Sequence, residues 1–250
     1  MTMSIEIGRS DRLFVLTGAG ISAESGIPTF RGQDGLWEGH RLEDVATPQA
    51  FARDPELVWR FYSMRRSVAA GCKPNAGHIA LAKLEKKLGK RMLICTQNVD
   101  ALHEAGGSSA VAHMHGELFK SRCSNRKCPT KPFDDRKLYP QRSDIPSCKC
   151  GALIRPDICW FNESPFHMRE VIPAIELCSI FLTVGSSGVV QPAASFALIA
   201  KQNGAKTFYL GLESPANAFA FDEVILGSSG ERLPELIKVR DRGFLKWFPV

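Results

Sequence analysis

The sequence predicts an α/β fold, a doubly wound parallel sheet with helices on both faces and a smaller lobe beside it, on three observations. Short apolar runs at 13–16 (LFVL), 91–96 (RMLICT), 179–184 (SIFLTV) and 206–210 (KTFYL) read as strands buried on both sides. Between them lie stretches of helical apolar spacing. Small or polar residues follow the strand ends repeatedly, as Gly18-Ala19-Gly20, Gln97-Asn98-Val99-Asp100 and Gly185-Ser186-Ser187, and a parallel sheet binds its ligands beyond the carboxyl ends of its strands.

In the first strand Leu13, Phe14, Val15 and Leu16 run unbroken into Gly18. Gly18, Ala19 and Gly20 leave almost no side chain between the backbone and a docked ligand, and the polar 22–25 segment opens a helix whose N-terminal N–H groups favour a pyrophosphate. Glycines at such a turn also serve close packing alone, and the string is shorter than the full dinucleotide fingerprint. The loop 26–37 is too long for a plain connection, which marks it as functional. Thr47-Pro48 forms an N-cap and first helical position. A longer helix is expected over 55–70, with Leu57, Phe61, Met64 and Val68 on its apolar face and Tyr62 and Arg65 together on the flank. Taken alone, such a pair is what edge residues that snorkel look like.

Asn75 caps the next helix, whose face is Leu81, Leu84 and Leu88 and which ends near Gly89. After the strand 91–96, Asn98 or Asp100 is placed to meet a ligand or to cap a helix at 101–105. A strand at 111–114 runs into His115, whose side chain suits proton abstraction near neutral pH; His113 shares that face but lies further back in the sheet. Cys123-x4-Cys128 and Cys148-x-Cys150 flank a polar, proline-rich span. Two thiol pairs are a natural tetrahedral Zn²⁺ set, closed and therefore structural, and a ribbon this short needs such a tie. A helix at 191–202, a strand at 206–210, a last short strand and a C-terminal helix within 221–250 complete the chain.

The bulk composition narrows the class. At 250 residues, 44% hydrophobic and 23% charged, the chain is one large domain or one with a small insertion. The net charge of +6 is a mild excess without basic runs interleaved with aromatics, so no specific nucleic-acid partner is expected. No signal-peptide core or membrane-length apolar run is present, so a cytoplasmic protein with no membrane partner is expected. Eight cysteines then read as thiols and metal ligands, with Cys72, Cys95, Cys159 and Cys178 packing as small core residues.

The string G-A-G-I-S-A-E-S-G-I-P-T-F-R-G followed by G-L-W, then Q-N-V-D at 97–100, H-G-E at 115–117 and the R-P…W-F-N-E run at 155–163, resembles the sirtuins in collinear order over nearly the whole chain. The resemblance implies an NAD-binding Rossmann-like domain of 1–37, 71–118 and 154–250, with a small lobe made of the helical segment 38–70 and the zinc ribbon 119–153. It implies NAD-dependent deacylation of protein lysine side chains. The acyl oxygen would attack C1′ of the nicotinamide ribose, and His115 would act as general base with Asn98 and Asp100 beside it. NAD would be held by Gly18, Ala19, Gly20, Ser22, Ile27, Phe30, Arg31, Gln97, Asn98, Asp100, Gly185, Ser186, Ser187, Gly211, Glu213 and Ser229. Phe30 would shield the anomeric carbon and Arg31 would bind phosphate. Tyr62-Ser63-Met64-Arg65 matches the Y-x-x-R pair of the subclass acting on succinyl- and malonyl-lysine, with a small Ala46 in the matching A-T-P segment. Three positions depart from the family pattern: C-x-C replaces C-x-x-C at 148–150, Asn162 stands where glycine is expected, and Gly211 where asparagine is usual. A mono-ADP-ribosyltransferase or a non-catalytic NAD sensor would share the NAD site.

Overall fold

The computed structural model describes residues 4–29, 36–37 and 39–240. Its centre is a six-stranded sheet in the order Glu223–Leu226, Lys206–Gly211, Ile180–Val184, Leu13–Thr17, Met92–Thr96, Val111–His113. Every neighbouring pair is parallel. Counted along the chain this is the 3-2-1-4-5-6 order of the Rossmann fold, and the order reverses between Leu13–Thr17 and Ile180–Val184.

Alternate side chains of the central strand enter opposite cores, as a period of two requires. Leu13 and Val15 join Leu81, Leu84 and Leu233 on one face, under the helices Ala76–Leu88 and Ser229–Leu236. Phe14 and Leu16 join Val171, Ile175 and Phe196 on the other, under Met168–Leu177 and Ala193–Gln202. The Phe14 and Phe181 rings stack at 5.3 Å. Asn75 caps its helix as its sequence predicts, with Oδ1 accepting from Gly77 N–H at 2.9 Å.

A third core joins the helical segment to the ribbon. Trp59, Phe61 and Tyr62 pack with Leu118, Tyr139, Ile154 and Trp160, and Gly116–Cys123 is the middle strand of a three-stranded antiparallel sheet between Phe133–Asp134 and Ile154–Ile158. The helix Pro55–Gly71 starts on Asp54, which accepts from Leu57 N–H. Its buried face differs from the expected stripe: Met64 and Val68 are each 42% exposed, while Val58, Trp59, Phe61, Tyr62 and Arg66 turn inward. The reason is Arg66, only 1% exposed. Its guanidinium donates to the carbonyls of Leu118, Lys120 and Lys137, to Ser121 and to Asp135. A charge so fully partnered can be buried, and it rotates the helix towards the ribbon.

The C-terminal part also departs from expectation. After the strand Glu223–Leu226 and the helix Ser229–Leu236, Ile237–Val239 forms a further strand that pairs in parallel with Ile5–Ile7. Residues 241–250 lie outside the described part.

Candidate active site

The strand-order reversal brings two small-residue turns together. Gly18 N–H donates to the Val184 carbonyl at 2.9 Å and Gly20 N–H to the Gly185 carbonyl at 2.8 Å. These amides are therefore engaged, so the glycines serve the close approach of the two turns rather than offering those N–H groups to a pyrophosphate. Gly185 has φ +64, and a Cβ there would lie 2.5 Å from Ile21 N. Above this crossing opens a cleft of about 510 Å³, of a size to enclose a nucleotide-like ligand.

Polar groups behind the cleft form a continuous buried network. Asp100, 5% exposed, accepts from Ser22 Oγ at 3.1 Å and from Leu102 N–H at 3.0 Å, so it both meets the cleft and holds a helix start. Burial raises its pKa against the pull of those hydrogen bonds. Asn98 Nδ2 donates to the Gly18 carbonyl and to Ser22 Oγ, and Gln97 Nε2 donates to Ser186 Oγ at 2.8 Å. Together these bonds tie the first, second and fourth strand ends into one floor.

Two histidines on the same strand end have opposite electrostatics. His115 Nδ1 lies 3.1 Å from the Gln97 carbonyl. A carbonyl only accepts, so Nδ1 carries the hydrogen and Nε2 keeps its lone pair. Burial holds the His115 pKa below the ordinary imidazole value, partly offset by that bond. His113 faces the Asn98 carbonyl with Nδ1 and Glu104 with Nε2, at 3.1 and 2.8 Å. Burial opposes its charge, but the bond and charge of Glu104 outweigh burial and raise its pKa. His115 is thus equipped to take a proton and His113 is not.

Most residues singled out in the sequence converge on this cleft. Gly18, Ala19, Gly20, Ser22 and Ile27 line it together with Gln97, Asn98, Asp100, His115, Gly185, Ser186, Ser187, Glu213 and Ser229. Ala46, Tyr62 and Arg65 line it too. Tyr62 is fully buried, with burial pushing its pKa up to about 12. The Arg65 guanidinium carbon lies 5.8 Å from the Phe61 ring centroid. Phe30 and Arg31 lie outside the described residues.

Gly211 is not among the residues that line the cleft, whereas its neighbour Leu212 and Tyr209 are. The space that a side chain at 211 would need is occupied by the Tyr209 hydroxyl. Asn162 adopts φ +69, so asparagine makes the left-handed turn expected of glycine there. Cys95 and Cys178 are core residues as expected, but Cys159 lines the cleft and Cys72 is half-buried. Trp160 and Tyr209 are lining residues to which sequence reasoning gave no role. The Trp160 signal stood in the W-F-N-E string, whereas a tyrosine inside an apolar strand carries none.

Away from the cleft, Cys123, Cys128, Cys148 and Cys150 place their sulfurs within 4.8 Å of one another. The Cys123–Cys150 and Cys128–Cys148 sulfur pairs are 3.5 and 3.7 Å apart. Zinc–sulfur bonds of about 2.3 Å give a tetrahedron with edges of about 3.8 Å, so the set fits a closed Zn²⁺ site. The tight C-x-C is accommodated by a turn at Gly151, φ +82, where Cys148 N–H donates to the Ala152 carbonyl. Among the described residues no helix is long and apolar enough to cross a membrane.

Residues 18–192 match the model of the Sir2 family. The NAD-dependent protein deacylase of Vibrio parahaemolyticus is 48% identical over 90% of this chain and 93% of its own length. That of Salmonella typhimurium is 47% identical over 93% of this chain and 85% of its own. Among solved structures, a Sir2 homolog–NAD complex matches with a TM-score of 0.81 at 40% identity, covering 91% of this chain and 88% of that one. A Sir2–p53 peptide–NAD+ complex matches with a TM-score of 0.76 at 32% identity, over 89% and 90%.

Proposed function

This chain belongs to the Sir2 family and is an NAD-dependent protein deacylase, and from that premise we propose that it removes succinyl and malonyl groups, and acetyl groups less readily, from lysine side chains of proteins, yielding nicotinamide and O-acyl-ADP-ribose. The observation that carries the acyl preference is that Tyr62 and Arg65 line the same cleft as Asn98 and His115. A carboxylate at the end of an acyl chain needs a partner when it is buried, and a guanidinium with a phenol hydroxyl supplies one. Ala46 adds only a methyl group to the lining and leaves room for the longer chain.

NAD, when bound, supplies the carbon that accepts the acyl oxygen and the nicotinamide that leaves. Asn98 and Asp100, fixed through Ser22, orient the ribose end. His115 takes a ribose hydroxyl proton on Nε2, while the Gln97 carbonyl holds Nδ1–H and so sets the tautomer. Gly185, Ser186 and Ser229, which line the same cleft, would hold the rest of the dinucleotide.

Mass spectrometry of one lysine peptide carrying acetyl, malonyl or succinyl, incubated with NAD, tests the reading. Release of the free peptide with stoichiometric nicotinamide, fastest from the two acidic acyl groups, is expected. Faster release from the acetyl peptide would overturn the acyl preference. ADP-ribose attached to protein without any free peptide would instead favour a mono-ADP-ribosyltransferase.

A further inference from the structure

Tyr62 accepts a hydrogen bond from the Trp160 indole, Nε1 to Oη at 3.0 Å. An indole N–H donates and never accepts, so the direction of this bond is fixed by chemistry. The Tyr62 oxygen is the acceptor, and its own hydrogen is left for a different partner. Burial keeps the phenol protonated, since it pushes that pKa up to about 12. Both side chains line the cleft, so a ligand there can accept that O–H.

Trp160 is held in place from several sides. The Arg155 guanidinium lies over its ring, 3.4 Å from the centroid. Its backbone N–H donates to Glu163 at 3.0 Å, and Glu163 grips Arg155 through two bonds of 2.9 Å each. Arg126, from the ribbon between Cys123 and Cys128, adds a third cationic bond to Glu163 at 2.7 Å. Burial works against the Glu163 charge, yet these cations and the Trp160 amide bring its pKa down to about 2. The neighbouring Phe161 N–H donates to the Ala46 carbonyl, which ties the same loop to the segment carrying the small acyl-pocket residue.

We propose that Trp160 is a positioning residue that sets acyl specificity: by occupying the Tyr62 oxygen as a donor, it commits the Tyr62 O–H to acyl groups that end in a hydrogen-bond acceptor. The inference rests on the acyl preference proposed above and deepens it. Without the indole N–H, the Tyr62 hydroxyl rotates freely and loses its orientation before substrate arrives. An acetyl group offers that hydroxyl no terminal acceptor, so its turnover does not depend on the orientation.

A double-mutant cycle tests this, with kcat/KM measured for succinyl and acetyl forms of one peptide in the wild type, Trp160→Phe, Tyr62→Phe and the double variant. Trp160→Phe keeps an aromatic ring but removes the N–H donor together with part of the indole's volume, and the cycle separates the two because the volume loss is common to both Tyr62 backgrounds. The succinyl-to-acetyl ratio should fall about three- to tenfold, the scale of one hydrogen bond, mainly through the succinyl KM. In the Tyr62→Phe background the same change should move the ratio less than about twofold. A preference for succinyl that Trp160→Phe leaves intact, or lowers equally with and without the Tyr62 hydroxyl, would overturn the role of Trp160 alone. Equal wild-type kcat/KM for the two peptides would overturn the acyl preference and this inference with it. Should Trp160→Phe not fold, the wild type still decides. Its Trp160 indole ¹H–¹⁵N resonance should shift on binding a succinyl-lysine peptide and stay fixed with the acetyl form; equal shifts would count against the proposal.

Discussion

Gly185→Ala probes the crossing of the two turns on which the cleft is built. A Cβ at 185 would lie 2.5 Å from Ile21 N and 2.7 Å from both Gly20 C and Cα, all of them backbone atoms that cannot swing aside. Overpacking of this kind costs about 1–3 kcal/mol, and the left-handed backbone at φ +64 adds about 1–2 kcal/mol. The expected loss is therefore about 2–5 kcal/mol, which in a chain of this size lowers Tm by about 4–20 °C. Gly204→Ala is the matched control: φ is +88, but nothing lies within 4 Å of its Cβ. It carries the backbone cost and the unfolded-state effect without the contact. Thermal melting of both variants, with NAD affinity by calorimetry, separates the terms. Gly185→Ala should melt well below Gly204→Ala and bind NAD more weakly, whereas Gly204→Ala should bind as the wild type does. Equal melting and equal NAD affinity in the two variants would refute the claim that the strand-order reversal is closed by glycine contact.

Three further predictions concern the site and its supports. His115→Ala should lose at least about 100-fold in kcat while retaining NAD, and turnover near the wild-type value would remove His115 as the base. Metal analysis should find one Zn²⁺ per chain at Cys123, Cys128, Cys148 and Cys150, and chelation should lower Tm and activity together; folded, active protein without zinc would contradict the ribbon assignment. Buried His103, whose pKa burial depresses to about 3, should make folding pH-dependent. An imidazole neutral when folded and titrating near 6.5 when unfolded loses stability as pH falls below about 6.5, because the unfolded chain takes the proton first. His103→Asn should therefore flatten the decline of Tm between pH 7 and 5, and an unchanged slope would show that His103 is not the group responsible.

The parts of this fold that depend on local composition were legible in the residues. Leu13–Thr17 and Ile180–Val184 are apolar without interruption because both faces of the sheet are covered. The four thiols were legible because few structures need two close cysteine pairs. Features set by distant partners were not. Periodicity places the stripe of the helix Pro55–Gly71 on Leu57, Phe61, Met64 and Val68, of which Phe61 is buried, because it counts apolar residues and puts an arginine outside. The acceptors that let Arg66 go inside come from 118–137, far along the chain. Ile5–Ile7 is too short to read as a strand without Ile237–Val239 beside it. At the site, Gly211 departs from the asparagine usual in the family, and only the fold shows that the Tyr209 hydroxyl, two residues earlier, fills the space a side chain at 211 would need.

We propose that the Tyr62–Arg65 wall makes this NAD-dependent deacylase select acyl groups bearing a carboxylate. The most direct test is kcat/KM for succinyl and acetyl versions of one peptide, in the wild type and in Arg65→Met. The wild type should prefer succinyl on the order of 10- to 100-fold, from charge-assisted hydrogen bonds to the carboxylate. Arg65→Met should abolish that preference chiefly by raising the succinyl KM. Equal kcat/KM for the two peptides, unchanged by Arg65→Met, would contradict the proposal.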